Sequence, residues 1–126
     1  MRNCFVFTLS DKDSYRIANS ATVNINDSSF FRYTFWKPRV GGKKQTYITP
    51  CRFSNDALDL FYISLMIFYA DRKVKRKDQN DAWTRYFELY IPVKDEVKWE
   101  ACKKTLTDAL NFLTGDHWIL HFRSWI

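Results

Sequence analysis

Residues 57–70, ALDLFYISLMIFYA, contain only Asp59 and Ser64 as strongly polar members. The run is too long for an ordinary strand and too short for a persuasive membrane span, and Asp59 lies inside it. A helix fits it. Ser54 or Asn55 can cap that helix, and Asp56 then falls in its first turn, facing the positive end of the helix dipole. Leu58, Phe61, Tyr62, Leu65, Phe68 and Tyr69 form one broad face, and Leu60, Ile63 and Ile67 much of another. A helix apolar on all sides is expected to be buried, either at the centre of its own domain or against a partner.

The flanking sequence predicts the elements that would bury it. Residues 3–9 read as a central strand, apolar on both faces around Cys4-Phe5-Val6-Phe7. Residues 15–25 alternate imperfectly and predict one or two antiparallel strands with a solvated face. Asn26-Asp27-Ser28-Ser29 signals a turn, and residues 30–36 resume as a strand. Residues 37–50 carry Pro38, Gly41, Gly42 and Pro50 and read as a flexible loop. Its word GGKK lacks the spaced glycines and the Lys-Ser/Thr ending of a nucleotide-binding loop.

The helix can run on toward Arg76, and Asp78-Gln79-Asn80-Asp81 then breaks it. Trp83, Arg85, Phe87, Leu89 and Ile91 then alternate as one core-facing side of a strand, which Pro92 ends. Asp95 caps a second helix. Val97, Ala101, Leu106, Ala109, Leu110 and Leu113 predict its buried face, while Lys98, Lys103, Lys104 and Asp108 mark the wet side. Gly115 suits the residue just past its end. A last strand directs Trp118, Leu120 and Phe122 one way and His117, Ile119, His121 and Arg123 the other. The expectation is an α+β fold: a small twisted mixed sheet with two principal helices, one of them highly apolar and buried. A chain of 126 residues accommodates one such domain over 1–126. It stops scarcely past its last strand, at Trp125-Ile126, which predicts the N-terminal fragment of a longer protein.

Charge is unevenly placed. The formal net charge is +6, from 20 Lys/Arg against 14 Asp/Glu. Arg72, Lys73, Lys75, Arg76 and Lys77 form a basic run, but Asp71, Asp78 and Asp81 surround it. A basic face would also draw on Arg32, Lys37, Arg39, Lys43 and Lys44. The run with Lys43 and Lys44 is the candidate nucleic-acid contact, using cations for phosphates and an exposed ring for a base. Against this, charge runs at helix ends are usually solvated, and Trp83 belongs to the predicted inward face. The odd, sparse set of Cys4, Cys51 and Cys102 gives no disulfide framework and no metal-ligand spacing, and reads as reduced, mostly buried thiols in the cytoplasm. No signal peptide is evident at the start.

No nucleophile or acid–base constellation emerges, and no cofactor or metal is expected. His117 and His121 share a strand face but lie roughly 13 Å apart along it, too far for one ion. Cys102 stands next to Lys103, yet its neighbours favour quiet burial. Asp71, Asp116, His117 and Arg123 are the candidate interface or structural-corner residues.

Three spaced words, DLFYISLMIFYADR (59–72), WTRYFELYIPV (83–93) and LNFLTGDHWILHFR (110–123), carry a resemblance. Over about residues 50–123 the chain resembles the N-terminal region of 7-cyano-7-deazaguanine synthase-like proteins of bacterial anti-phage defence clusters. In that group the region precedes a PP-loop ATP pyrophosphatase-like domain. The chain lacks the SGGxDS-like phosphate loop and the clustered zinc cysteines of the synthases, so none of their catalytic residues transfers. The resemblance implies a non-catalytic accessory or assembly domain that contacts a protein partner or a following domain, with a homo-oligomer as one form of assembly. A basic nucleic-acid-binding module is the alternative. A membrane partner is not expected.

Overall fold

The computed structural model describes residues 2–27, 36–38, 44–46 and 54–124. Its main sheet has four strands: β1 (Arg2–Thr8), β2 (Ala21–Asn24), β5 (Tyr86–Val93) and β6 (His117–Ser124). Their spatial order is β2-β1-β5-β6, and every pair is parallel. A separate antiparallel pair joins β3 (Trp36–Pro38) to β4 (Lys44–Thr46). Two helices complete the fold: α1 (Asn55–Lys73), and α2 (Glu96–Thr114) in the crossover between β5 and β6.

The helix ends follow from local chemistry. The Ser54 hydroxyl accepts the Ala57 N–H and caps α1, and the Asp95 carboxylate accepts the Lys98 N–H and caps α2. Gly115 ends α2 at φ 72°, a left-handed position where a Cβ is costly.

Three expectations are corrected. The main sheet is parallel, not mixed. Residues 21–24 pair parallel to β1 instead of forming an antiparallel meander, because residues 9–20 carry the chain back before β2 begins. The apolar helix is not buried all round. Ile63, Leu65, Met66 and Ala70 are buried, but Leu60 is 51% and Phe68 46% exposed. The reason is layering. Both helices contribute to one core with Phe7, Phe87, Leu89, Ile91, Val93, Trp118, Leu120 and Phe122, which share one face of the sheet. A helix in a two-layer arrangement can bury only the arc that meets the sheet.

The same geometry corrects the expected face of α2. Trp99, Leu106 and Leu110 pack against the core, whereas Val97, Ala101, Ala109 and Leu113 are exposed. The opposite sheet face carries Tyr86, Glu88 and Tyr90 beside His117, Ile119 and His121. Residues 9–20 cover its far end, where Tyr15 meets Tyr90 with ring centroids 6.0 Å apart.

Candidate functional site

Charged residues gather where α1 ends and β5 and β6 begin. Asp116 follows Gly115, and its side chain is fully buried. Arg85 lies just before β5 on the inward side. A charge there requires a partner. It donates from its backbone N–H to Asp116 Oδ1 (3.0 Å), and from Nε (3.1 Å) and Nη2 (2.8 Å) to Oδ2. It also reaches Asp71 Oδ1 (2.6 Å) and the carbonyls of Asp71 and Val74, which closes the C-terminal turn of α1. Arg76 grips the same carboxylate with two nitrogens, at 2.9 and 3.1 Å, and donates to the carbonyls of Trp83 and Thr114.

Two guanidiniums and two carboxylates thus balance. Burial alone would raise the Asp116 carboxyl, but the bonds from Arg85 and Arg76 outweigh it and hold it below the usual range. Arg85 is pushed up by the same partners against its own desolvation. A network with its charges matched holds three chain segments together.

Of the candidate corner residues, the structure brings Asp71 and Asp116 together on Arg85. His117 starts β6 on the open sheet face, stacked on Tyr86 with ring centroids 4.8 Å apart. Arg123 sits at the other end of β6, where it binds the Asp13 carboxylate and the Phe7 carbonyl and lies 4.4 Å over the Tyr15 ring. The sequence reading missed Arg85 as the hub. Its signal was a single cation in an otherwise apolar strand face.

Trp83 is the largest departure. It is 67% exposed and precedes the strand, so it does not face the core. The preceding turn fixes it. Asp81 Oδ1 accepts the N–H groups of Trp83 (2.9 Å) and Thr84 (2.8 Å), and the Ala82 N–H bonds the Gln79 carbonyl. Those two backbone bonds keep Asp81 ionised to lower pH than usual. Ala82 sits at φ 57°, in the left-handed region. Ala82→Gly is therefore expected to raise stability by about 0.5–1 kcal/mol, read as a higher urea midpoint at unchanged slope. The Arg76 guanidinium lies 5.2 Å from the Trp83 ring centroid.

The basic run divides. Arg76 belongs to the ion network. Arg72 and Lys73 lie over the rings of Phe68 (5.7 Å) and Tyr69 (5.4 Å). Lys75 and Lys77 are exposed. Lys44 is in β4, and Arg32, Arg39 and Lys43 lie outside the described residues, as does Cys51.

The cysteine expectation fails in part, because Cys102 is exposed. Burial, then the Glu88 charge, pushes the Cys4 thiol up, away from a reactive thiolate. His121 Nε2 contacts Glu88 Oε2 at 2.7 Å. Among the described residues no group of three or more His, Cys, Asp or Glu is placed to hold a metal ion, and no helix is long and apolar enough to cross a membrane.

A parallel sheet offers a second natural site at the carboxyl ends of its strands, where the order reverses between β1 and β5. Here the chain just before α2 already carries a carboxylate. The buried Asp59 carboxylate of α1 accepts the N–H groups of Lys94 (2.9 and 3.0 Å) and Asp95 (3.2 Å) and the Trp99 indole N–H (3.0 Å). The Asp59 side chain thus satisfies the backbone N–H groups that lead into α2. No family model, curated protein or solved structure matches this chain.

Proposed function

We propose that this chain is a non-catalytic accessory or assembly domain that binds a protein partner or a following domain through the outer surface of its helices. One observation carries the reading. Val97, Phe112 and Leu113 of α2 are 82%, 87% and 77% exposed. Ala101 and Ala109 are exposed on the same helix, and Leu60 on α1. Large exposed apolar side chains on a helix surface are what an interface presents before assembly. Lys98, Lys104 and Asp108 lie among them, so the surface mixes apolar and charged side chains. The charge-matched ion network, which ties chain segments together, supports a structural and binding role over a catalytic one. The resemblance supplies the context: a PP-loop protein of a bacterial defence cluster, acting in the cytoplasm.

The test is a titration of the chain with the PP-loop domain of a defence-cluster protein of that group, together with sedimentation of the chain alone. Association, with the partner or with a second copy, should weaken roughly tenfold or more in Phe112→Glu/Leu113→Glu. The variant should unfold at the wild-type temperature, because neither side chain contributes to the core. A wild-type chain that stays monomeric and ignores that domain would overturn the reading.

A further inference from the structure

We infer that the Trp83 corner is a contact site for single-stranded nucleic acid, with the indole stacking on a base and Lys75 and Lys77 meeting phosphates. The proposal rests on a different observation from the helix surface above, although Arg76 ties the Trp83 carbonyl to that of Thr114 at the end of α2.

An exposed tryptophan is ordinarily free to swing. This one is held from several sides. Asp81 fixes its backbone through two N–H groups, and Arg76 holds its carbonyl at 2.9 Å. Arg76 also lies over the ring, and Arg76 is itself pinned by the buried Asp116. The ring is thus presented by a chain of contacts that ends in the core. With the guanidinium over the ring and 67% of the residue exposed, much of the indole is open to solvent. A ring ordered in advance loses little entropy when a flat group stacks on it.

The surroundings choose the ligand. The exposed residues nearest Trp83 along this turn are Lys75, Lys77, Asp78, Asn80, Asp81 and Ala82, and Arg76 brings the Thr114 carbonyl to the same corner. A protein hot spot wants a dry apolar collar, and these polar residues do not make one. A nucleobase brings its own flat apolar surface and a phosphate within reach of the lysines. Asp78 and Asp81 oppose that attraction, so the contact depends on stacking more than on charge. This disfavours duplex DNA, whose bases are already stacked.

The probe is fluorescently labelled oligothymidylate, titrated with protein at low salt while its anisotropy is followed, with duplex DNA and polyglutamate as controls. Wild type should show an anisotropy rise that saturates. Trp83→Ala should lose about tenfold in affinity, and Trp83→Phe distinctly less. Lys75→Glu/Lys77→Glu should flatten the dependence of log affinity on log salt by about 1.4, two phosphates' worth. Circular dichroism should show all three variants folded. Val97→Glu, at the opposite end of α2, should bind the oligonucleotide as wild type does, so failure of the assembly reading leaves this result standing. No binding by wild type, unchanged binding by Trp83→Ala, or equal binding of duplex or polyglutamate would each overturn the proposal. Loss of binding to a protein partner in Trp83→Ala, with oligonucleotide ignored, would assign the corner to protein contact instead.

Discussion

Asp116→Ala is expected to destabilise the fold by about 3–5 kcal/mol, measured as the loss in urea unfolding free energy at neutral pH. The carboxylate is fully buried and receives five hydrogen bonds from Arg85 and Arg76. Removing it leaves the Arg85 guanidinium, itself almost buried, with only Asp71 to balance it. The cost is mostly that of an uncompensated charge rather than of lost attraction. Arg85→Met in the same background should therefore recover part of the loss, although each single change is destabilising. With domain stabilities of about 5–15 kcal/mol in total, the single variant sits close to unfolding. A loss under about 1 kcal/mol would show that water satisfies this corner.

The same group sets an acid limit. The folded Asp116 carboxyl lies below its unfolded value of about 3.9, as does Asp13, where burial is outweighed by the bonds from Arg123 and Tyr15. The unfolded chain therefore binds protons first as pH falls. The stability these groups provide is fully present above the unfolded value and is lost as pH falls through the folded ones. Unfolding free energy should be level from neutrality to about pH 5, then fall steeply below about pH 4. In Asp116→Ala that acid slope should be shallower.

Local chemistry made part of this architecture legible. Ser54, Asp95 and Gly115 mark helix ends because each satisfies a backbone requirement within a few residues. Phe87, Leu89 and Ile91, like Trp118, Leu120 and Phe122, alternate because each strand buries one face. The same rule misled at Trp83. The period of two runs back through Arg85, but the turn at Asp81-Ala82 interrupts the strand, and backbone dihedrals are not visible in an alternation. The parallel placement of β1 between β2 and β5 depends on pairings up to 84 positions apart, such as Arg2 with Tyr86. Helix burial was misjudged for a different reason. Apolar composition shows what can be buried, whereas the number of layers decides what is. The ion network was half legible: Asp71 and Asp116 stood out as polar residues at element ends, but their meeting on Arg85 is a property of the assembled corner.

Asp59→Ala is expected to cost about 2–4 kcal/mol, again from urea unfolding. It should also loosen the start of α2 before the rest of the domain opens. Asp59 is the polar interruption of the most apolar stretch in the chain. Its carboxylate reaches from α1 to two backbone N–H groups after β5 and to the Trp99 indole. Truncation leaves three donors without their acceptor. The two backbone groups lie near enough to the surface to recruit water, which keeps the cost below the sum of three unsatisfied donors. Asp59→Asn keeps one acceptor oxygen and should lose roughly half as much. Trp99→Phe removes only the indole donor, and the double change Asp59→Ala/Trp99→Phe should be less damaging than the two singles added together. Hydrogen exchange supplies a sharper readout. Amides at 94–99 should lose protection in Asp59→Ala while those of β5 keep theirs. Uniform loss across the sheet would mean that Asp59 supports the whole core rather than the seat of α2. The distinction bears on function, because α2 carries Val97, Phe112 and Leu113. If its first turn is seated by Asp59, Asp59→Ala should weaken partner association even under conditions where the domain stays folded.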